Sequence, residues 1–212
     1  REGFNATGWN TNEQGIGDSY TGGQQATETD LILFAQWKEE ENRQFTYSAT
    51  ITLNSNDGKN QTDRQTITSN TTDRISGNLK ANPFTLTDWT FKGWNTAETG
   101  NGTYYADQAP ITLNDQGTVS LYAQWIKESA DGSITVPGAD KIPGNEDDVT
   151  AKPGNGGSLE RNDKTGEITV PAGGSAVNKN GEIDMPNGGT VKPDGTIVVK
   201  DPKGDITIKP DG

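Results

Sequence analysis

Phe91-Lys92-Gly93-Trp94-Asn95-Thr96, followed by Leu121-Tyr122-Ala123-Gln124-Trp125, decides how this chain is read, because both stretches occur twice. The earlier copy runs Thr7-Gly8-Trp9-Asn10-Thr11 and closes on Leu33-Phe34-Ala35-Gln36-Trp37. Aligned on the first Trp, Gly15 meets Gly100, Gly17 meets Gly102 and Tyr20 meets Tyr105. Only then do the copies slip, the second taking three more residues to reach its closing Trp. A ladder of this length does not recur by chance, and internal repetition sets the architecture before any other signal.

Composition points to the same class. Of 212 residues 28% are hydrophobic and the mean hydropathy is −0.83, too little apolar surface for one large core and enough for several small modules. The 27 Gly, with abundant Thr, Asn and Asp, suit strands and tight turns rather than helices. A net charge of −12 without a basic stripe excludes nucleic acid as an expected partner. With neither Cys nor His, disulfides, thiol nucleophiles, Cys-ligated metals and the commonest general base are all removed. A Cys-free, Thr/Asn/Gly-rich β chain fits an exported prokaryotic protein. No stretch reaches the ~20 apolar residues that span a bilayer. The chain opens at Arg1 without Met, which predicts a processed or excerpted piece.

Along the chain, Asp30 to Trp37 reads as a buried strand and Lys38 to Arg43 as a charged linker. Phe45, Tyr47, Ala49, Ile51 and Leu53 alternate with Ser and Thr, the period of a half-buried strand. Asp57-Gly58 makes a turn. In the polar stretch from Asp63 to Leu79, Ile67, Ile75 and Leu79 stand 8 and 4 apart with Ser69, Asn70 and Asp73 as caps, which predicts a poor short helix or an irregular crossover. Ile111 and Leu113 mark an edge segment and Thr118 to Trp125 a closing strand.

Beyond Ile126 the aromatics stop and a second repeat starts: Gly132-Ser133-Ile134-Thr135-Val136-Pro137, Gly166-Glu167-Ile168-Thr169-Val170-Pro171, Gly181-Glu182-Ile183-Asp184-Met185-Pro186, then Gly195 to Val199 and Gly204 to Pro210. Each unit offers two apolar residues at i and i+2. Stacked, such strands share a thin core, as in an elongated β-solenoid or β-meander; the rival is a disordered acidic linker. Three segments result: a partial repeat over 1–38, a complete one over 43–126 and a short-strand array over 127–212.

The Thr-rich strand from Phe45, Asp57-Gly58, Phe91 to Thr96, Gly100-x-Gly102, Tyr105 and Leu121 to Trp125 together resemble the Listeria–Bacteroides repeat, or internalin-B-type B repeat, strongly over 43–126 and partially over 1–37. The resemblance implies small β-grasp-like modules, a mixed sheet packed on a short helix, carried in tandem by large bacterial or archaeal surface proteins as stalk or adhesion modules. A mainly β, non-enzymatic, extracellular segment on a prokaryotic cell surface (wall, S-layer or filament) is the resulting expectation. Its expected partners are other copies or segments of the same long protein, with a host protein or glycan as the alternative; no cofactor is implied.

The candidate binding residues are weighed in that light. Trp9, Trp37, Trp94 and Trp125, with Tyr20 and Tyr105, are expected as core rather than as sugar platforms, and Tyr104 as exposed. Asn54 to Gly58 and Asn145-Glu146-Asp147-Asp148 are oxygen-rich but lack the spacing of a calcium loop. Asn-x-Thr sequons fall at Asn5, Asn60, Asn70 and Asn101. Catalytic, cofactor and metal residues are accordingly none. The partial copy lacks an equivalent of the Phe45 to Leu53 strand, which predicts an open sheet edge that another chain's strand could fill, with Gly204 to Gly212 as a candidate donor.

Overall fold

A computed structural model describes residues 3–25, 30–39 and 46–210. The chain divides into two compact units, Arg1–Phe45 and Thr46–Gly212. Described residues form strands, turns and bends, with no helix among them.

In the first unit β1 (Phe4–Asn10), β2 (Ser19–Tyr20) and β3 (Phe34–Glu39) make an antiparallel sheet of order β2-β1-β3. Trp9 pairs with Tyr20 and Ala35, and Ala6 with Trp37, across a bulge beside Gly8. The expected strand from Asp30 begins only at Phe34. Leu31 to Leu33 form no ladder and Ile32 stands 73% exposed; Phe34 and Trp37 are exposed as well, so the strand expectation holds only from Phe34 and the expectation of burial fails throughout.

The second unit starts with β4 (Tyr47–Asn54), antiparallel to β5 (Thr62–Ser69). The alternation is real: Ala49, Ile51 and Leu53 are buried. Phe45 itself lies outside the described residues. The helix expected between Asp63 and Leu79 is instead β5, a turn and β6 (Arg74–Asn78). Ile67 and Ile75, which mimic a helical spacing, sit on separate strands. Ser69, anticipated as a helix cap, accepts hydrogen bonds from the amides of Thr71 and Thr72, both at 3.3 Å, and so caps a turn. The β-branched run Thr66-Ile67-Thr68 in β5 favours the pleated state over helix.

β7 (Thr90–Asn95), β8 (Tyr104–Tyr105), β9 (Pro110–Asn114) and β10 (Thr118–Glu128) complete the repeat. β10 runs parallel to β4 from Thr118↔Thr50 to Tyr122↔Asn54 and antiparallel to β7. Of the mixed sheet packed on a short helix that the family resemblance implies, the sheet is therefore present, while no helix packs on it among the described residues, the β6–β9 ribbon lying over the core instead. Asp115 Oδ1 takes the amide of Ser48 at 2.8 Å and Gly117 O that of Thr50 at 2.9 Å, which sets the parallel register. The β6–β9 ribbon and the irregular segment carrying Leu79, Phe84, Leu86 and Trp89 enclose one core with the sheet, around Ile51, Leu53, Ile75, Trp94, Leu121 and Trp125.

β10 does not stop at the end of the repeat. Lys127 and Glu128 pair with β11 (Ile134–Val136), and the ladder continues through β12 (Val149–Lys152), β15 (Gly174–Asn178) and β16 (Gly181–Met185). A second sheet of five strands holds β13 (Glu160–Arg161), β14 (Ile168–Val170), β17 (Gly189–Val191), β18 (Ile197–Val199) and β19 (Ile206–Ile208), in the order β13-β14-β17-β18-β19. The Ile-x-Val pairs of β11, β14 and β18 are buried with Ala151, Ala176 and Met185 in one cluster drawn from both sheets. Every pairing within the tail is antiparallel. The solenoid alternative is thereby replaced by meanders sharing a core, and the disordered-linker alternative by ordered strands.

Candidate functional site

The twice-repeated Gly-Trp-Asn-Thr stretch is a loop clamp. In the complete copy the Asn95 carboxamide is buried; its Oδ1 accepts the amides of Ala97 and Gly102, both at 2.9 Å, and its Nδ2 donates to Gly100 O at 2.8 Å. Thr96 Oγ1 accepts the amide of Thr103 at 2.8 Å. In the first copy Asn10 Oδ1 accepts Asn12 N and Gly17 N, both at 2.9 Å, Asn10 Nδ2 donates to Gly17 O at 2.9 Å, and Thr11 Oγ1 accepts Asp18 N at 2.9 Å. The second Gly of Gly-x-Gly is required by space: a Cβ on Gly102 would stand on Thr96 Oγ1 and 2.7 Å from Asn95 Oδ1, and one on Gly17 would meet Thr11 Oγ1. Gly93 and Gly8 hold φ of 125° and 144° at the bulge, which leaves room for the chain opposite.

The same motif meets different surroundings in the two copies. Trp94 and Trp125 are 0% and 4% exposed, whereas Trp9 and Trp37 are 46% and 43% exposed. Trp94 packs edge-on against Phe84 and Phe91, and Trp125 Nε1 donates to Ser55 O at 2.7 Å. The core expectation therefore holds in the second copy and fails in the first, which has no described counterpart of β4, β6 or β9 to lie over its aromatics. Together with Phe34 and Ile32, Trp9 and Trp37 are the exposed large apolar residues of the first unit's sheet and the segment leading into β3. Tyr104, expected at the surface, is half-buried; its hydroxyl donates to Lys92 O at 3.0 Å, and burial raises its pKa.

The oxygen-rich turns have partners of their own. Asp57 Oδ1 accepts from Ser55 Oγ at 2.6 Å and from Lys59 N at 3.1 Å; burial opposes ionisation there, and these bonds with the Lys59 ammonium outweigh it, so the carboxyl sits below its ordinary value. In the other turn Asn145 Nδ2 donates to Asp140 Oδ2 at 2.7 Å, Asp147 Oδ2 accepts Asp140 N at 3.0 Å and Asp148 Oδ2 accepts Gly144 N at 2.9 Å. The remaining carboxylate oxygens of Asp147 and Asp148 are buried without a hydrogen-bond partner. Burial, reinforced by the charges of Asp147 and Asp140, pushes Asp148 up to about 6. Among the described residues no three acidic side chains are arranged to hold a metal ion.

Between the repeat and the tail lies an enclosed space of about 20 Å³, bounded by Trp125, Tyr104, Lys141 and Arg161, which is room for a single water. Arg161 Nη1 bonds Asp163 at 2.8 Å and its Nε is buried without a partner. Two hollows of about 240 and 430 Å³ open widely at the surface. All four sequon asparagines, Asn5, Asn60, Asn70 and Asn101, are exposed.

The model of the Listeria-Bacteroides repeat domain matches residues 1–36 and 50–124, a little over half of the chain. The chain belongs to the Listeria-Bacteroides repeat family. The matched stretches are those whose Trp-Tyr and Trp-Ala registers coincide, so the family signature and the clamp geometry are one feature. No curated protein and no solved structure matches the chain. The family is one of repeat proteins associated with bacterial surfaces, and the repeat signature supplies clamp and core residues rather than a reactive group. No helix here is long and apolar enough to cross a membrane, among the described residues.

Proposed function

We propose that this chain is a non-enzymatic spacer in an extracellular surface protein, a load-carrying segment between a cell envelope and whatever lies farther out. The observation that carries the proposal is β10. The closing strand of the repeat extends unbroken to Glu128 and pairs with β11, so repeat and tail share one sheet with no linker between them. A spacer needs that continuity, because tension on one end is carried across a hydrogen-bonded ladder rather than by a hinge. Signature side chains spent on the clamp and core, and net charge spread along the chain, agree with a solvated structural segment.

Small-angle scattering on residues 1–212 tests this. A spacer gives a radius of gyration well above the roughly 17 Å of a compact domain of this length. A compact envelope would refute the spacer reading. The second reading, binding of a host glycan or protein, draws on exposed Trp9 and Trp37. Array binding that disappears in Trp9→Ala and Trp37→Ala would favour it over the spacer.

A further inference from the structure

We propose that the outer edge of β5 is a self-association surface, complementary to the same edge of a second copy of this chain, and that Asp63 and Lys80 form a clasp that keeps it closed. β5 ends its sheet: among the described residues it pairs with β4 alone, and at eight residues it is the longest strand standing at a sheet edge. The register shows which of its backbone groups face outward. Ser48 N donates to Asp115 Oδ1 and Thr50 N to Gly117 O, both away from β5. Their antiparallel partners Thr68 and Thr66, and by the same alternation Arg64 opposite Thr52, therefore turn their amides and carbonyls away from β4. All three residues are exposed.

A second copy fits this row. Antiparallel pairing about a twofold axis at Thr66 sets Thr66 against its own counterpart, Arg64 against the counterpart of Thr68, and Asp63 against that of Ser69, so no like charges are opposed. Full pairing needs the Arg64 amide and carbonyl, and both are occupied. Asp63 Oδ1 accepts Arg64 N at 2.8 Å, Lys80 Nζ donates to Arg64 O at 2.7 Å, and the Lys80 ammonium is ion-paired with Asp63. Lys80 is held over the edge by its backbone: its amide donates to Gln65 Oε1 at 2.9 Å, and Gln65 Nε2 donates to Asn78 O at 2.7 Å. With Arg64 occupied in both copies only the Thr66 pair remains, too little to offset the cost of association. The bond from Lys80 also holds the Asp63 carboxyl below its ordinary value, so the clasp is charged at neutral pH. Both side chains are partly exposed and such a pair adds little stability; its effect comes from where it sits. The surface is independent of the spacer reading, since a compact or an extended molecule would carry it equally.

Sedimentation velocity on the full chain tests this by comparing wild type, the Asp63→Ala/Lys80→Met double variant, and that double variant with Thr66→Pro added. The double change is neutral in net charge and leaves the amide of residue 80 bonded to Gln65. Proline at position 66 removes an outward N–H that the β4 ladder does not use. The double variant is expected to dimerise with a Kd at least about tenfold below that of wild type, and the added proline to return it to the wild-type value. The proposal is overturned if the double variant associates no more than wild type, or if the proline variant associates as strongly as the double, which would put the contact elsewhere. Hydrogen exchange on wild type decides the matter whether or not the variants fold. The Arg64 amide should exchange at least about tenfold more slowly than those of Thr66 and Thr68, and equal rates overturn the clasp.

Discussion

At the scale of single residues, the motif's chemistry is concentrated in one carboxamide. Asn95 accepts two amides and donates to the carbonyls of Gly100 and, at longer range, Gly102 from a buried position, so truncation takes a partner from each of those backbone groups. Asn95→Ala is expected to destabilise the second unit by about 2–4 kcal/mol in urea unfolding, whereas Asn10→Ala should leave that transition unmoved. A loss below about 1 kcal/mol would mean that water replaces the clamp and that the motif is retained for some other reason. Asp148 gives a second residue-scale prediction, in pH. Its carboxyl sits at about 6 against an ordinary 3.8, so between those values the folded chain holds a proton that the unfolded chain has lost. Stability should therefore rise as pH falls from about 7.5 to about 5. Below that range the gain is opposed by Asp57, Asp131 and Glu182, whose values are held low by hydrogen bonds from Ser55, Ser133 and Ser175, with Lys152 adding to the last. Asp148→Asn should raise the melting temperature at neutral pH and flatten the profile; a wild-type profile that falls across the window contradicts the assignment.

At the scale of elements, β4 is the strand on which the complete repeat depends. Ile51 is wholly buried between the mixed sheet and the β6–β9 ribbon, and Ile51→Ala is expected to cost about 2–5 kcal/mol and to shift emission of Trp94 and Trp125 to the red. Unchanged emission would show that β10 and β7 bury those indoles without help from β4. This strand also shows what was legible in the sequence. Its period-2 pattern and the repetition of the Gly-Trp-Asn-Thr motif could be read directly, because alternation follows from the pleat and the motif is contiguous; the clamping role of Asn95 and Thr96 escapes the sequence reading, although it acts within a few residues. The rest of what could not be read depends on neighbours distant in sequence. The helical spacing of Ile67, Ile75 and Leu79 is met by two strands in different sheets and the residue just after the second, since β5 is claimed by β4 and β6 by β9. Trp9 and Trp94 carry the same local signal, and only the strands packed over them decide which one is core.

At the scale of the whole molecule, the division into Arg1–Phe45 and Thr46–Gly212 sets two stabilities rather than one. The first unit rests on three short strands, and apart from Asn10 none of its described residues is buried. The second has two core clusters joined through β10, where Trp125 belongs to one and Ile126 to the other. That shared strand makes repeat and tail one cooperative body, because opening either side strips a ladder from the other. Native-state hydrogen exchange should accordingly show Leu53, Leu121, Ile168 and Val191 exchanging together at the limit of global unfolding, with β1 and β3 exchanging far faster through a separate opening. In urea, emission from Trp9 and Trp37 should change at lower denaturant than emission from Trp94 and Trp125. Single-Trp variants, in which the remaining indoles are replaced by Phe, resolve the two signals. One coincident transition would show that the first unit draws its stability from the second, and separate transitions for Leu53 and Val191 would show that β10 does not couple the repeat to the tail.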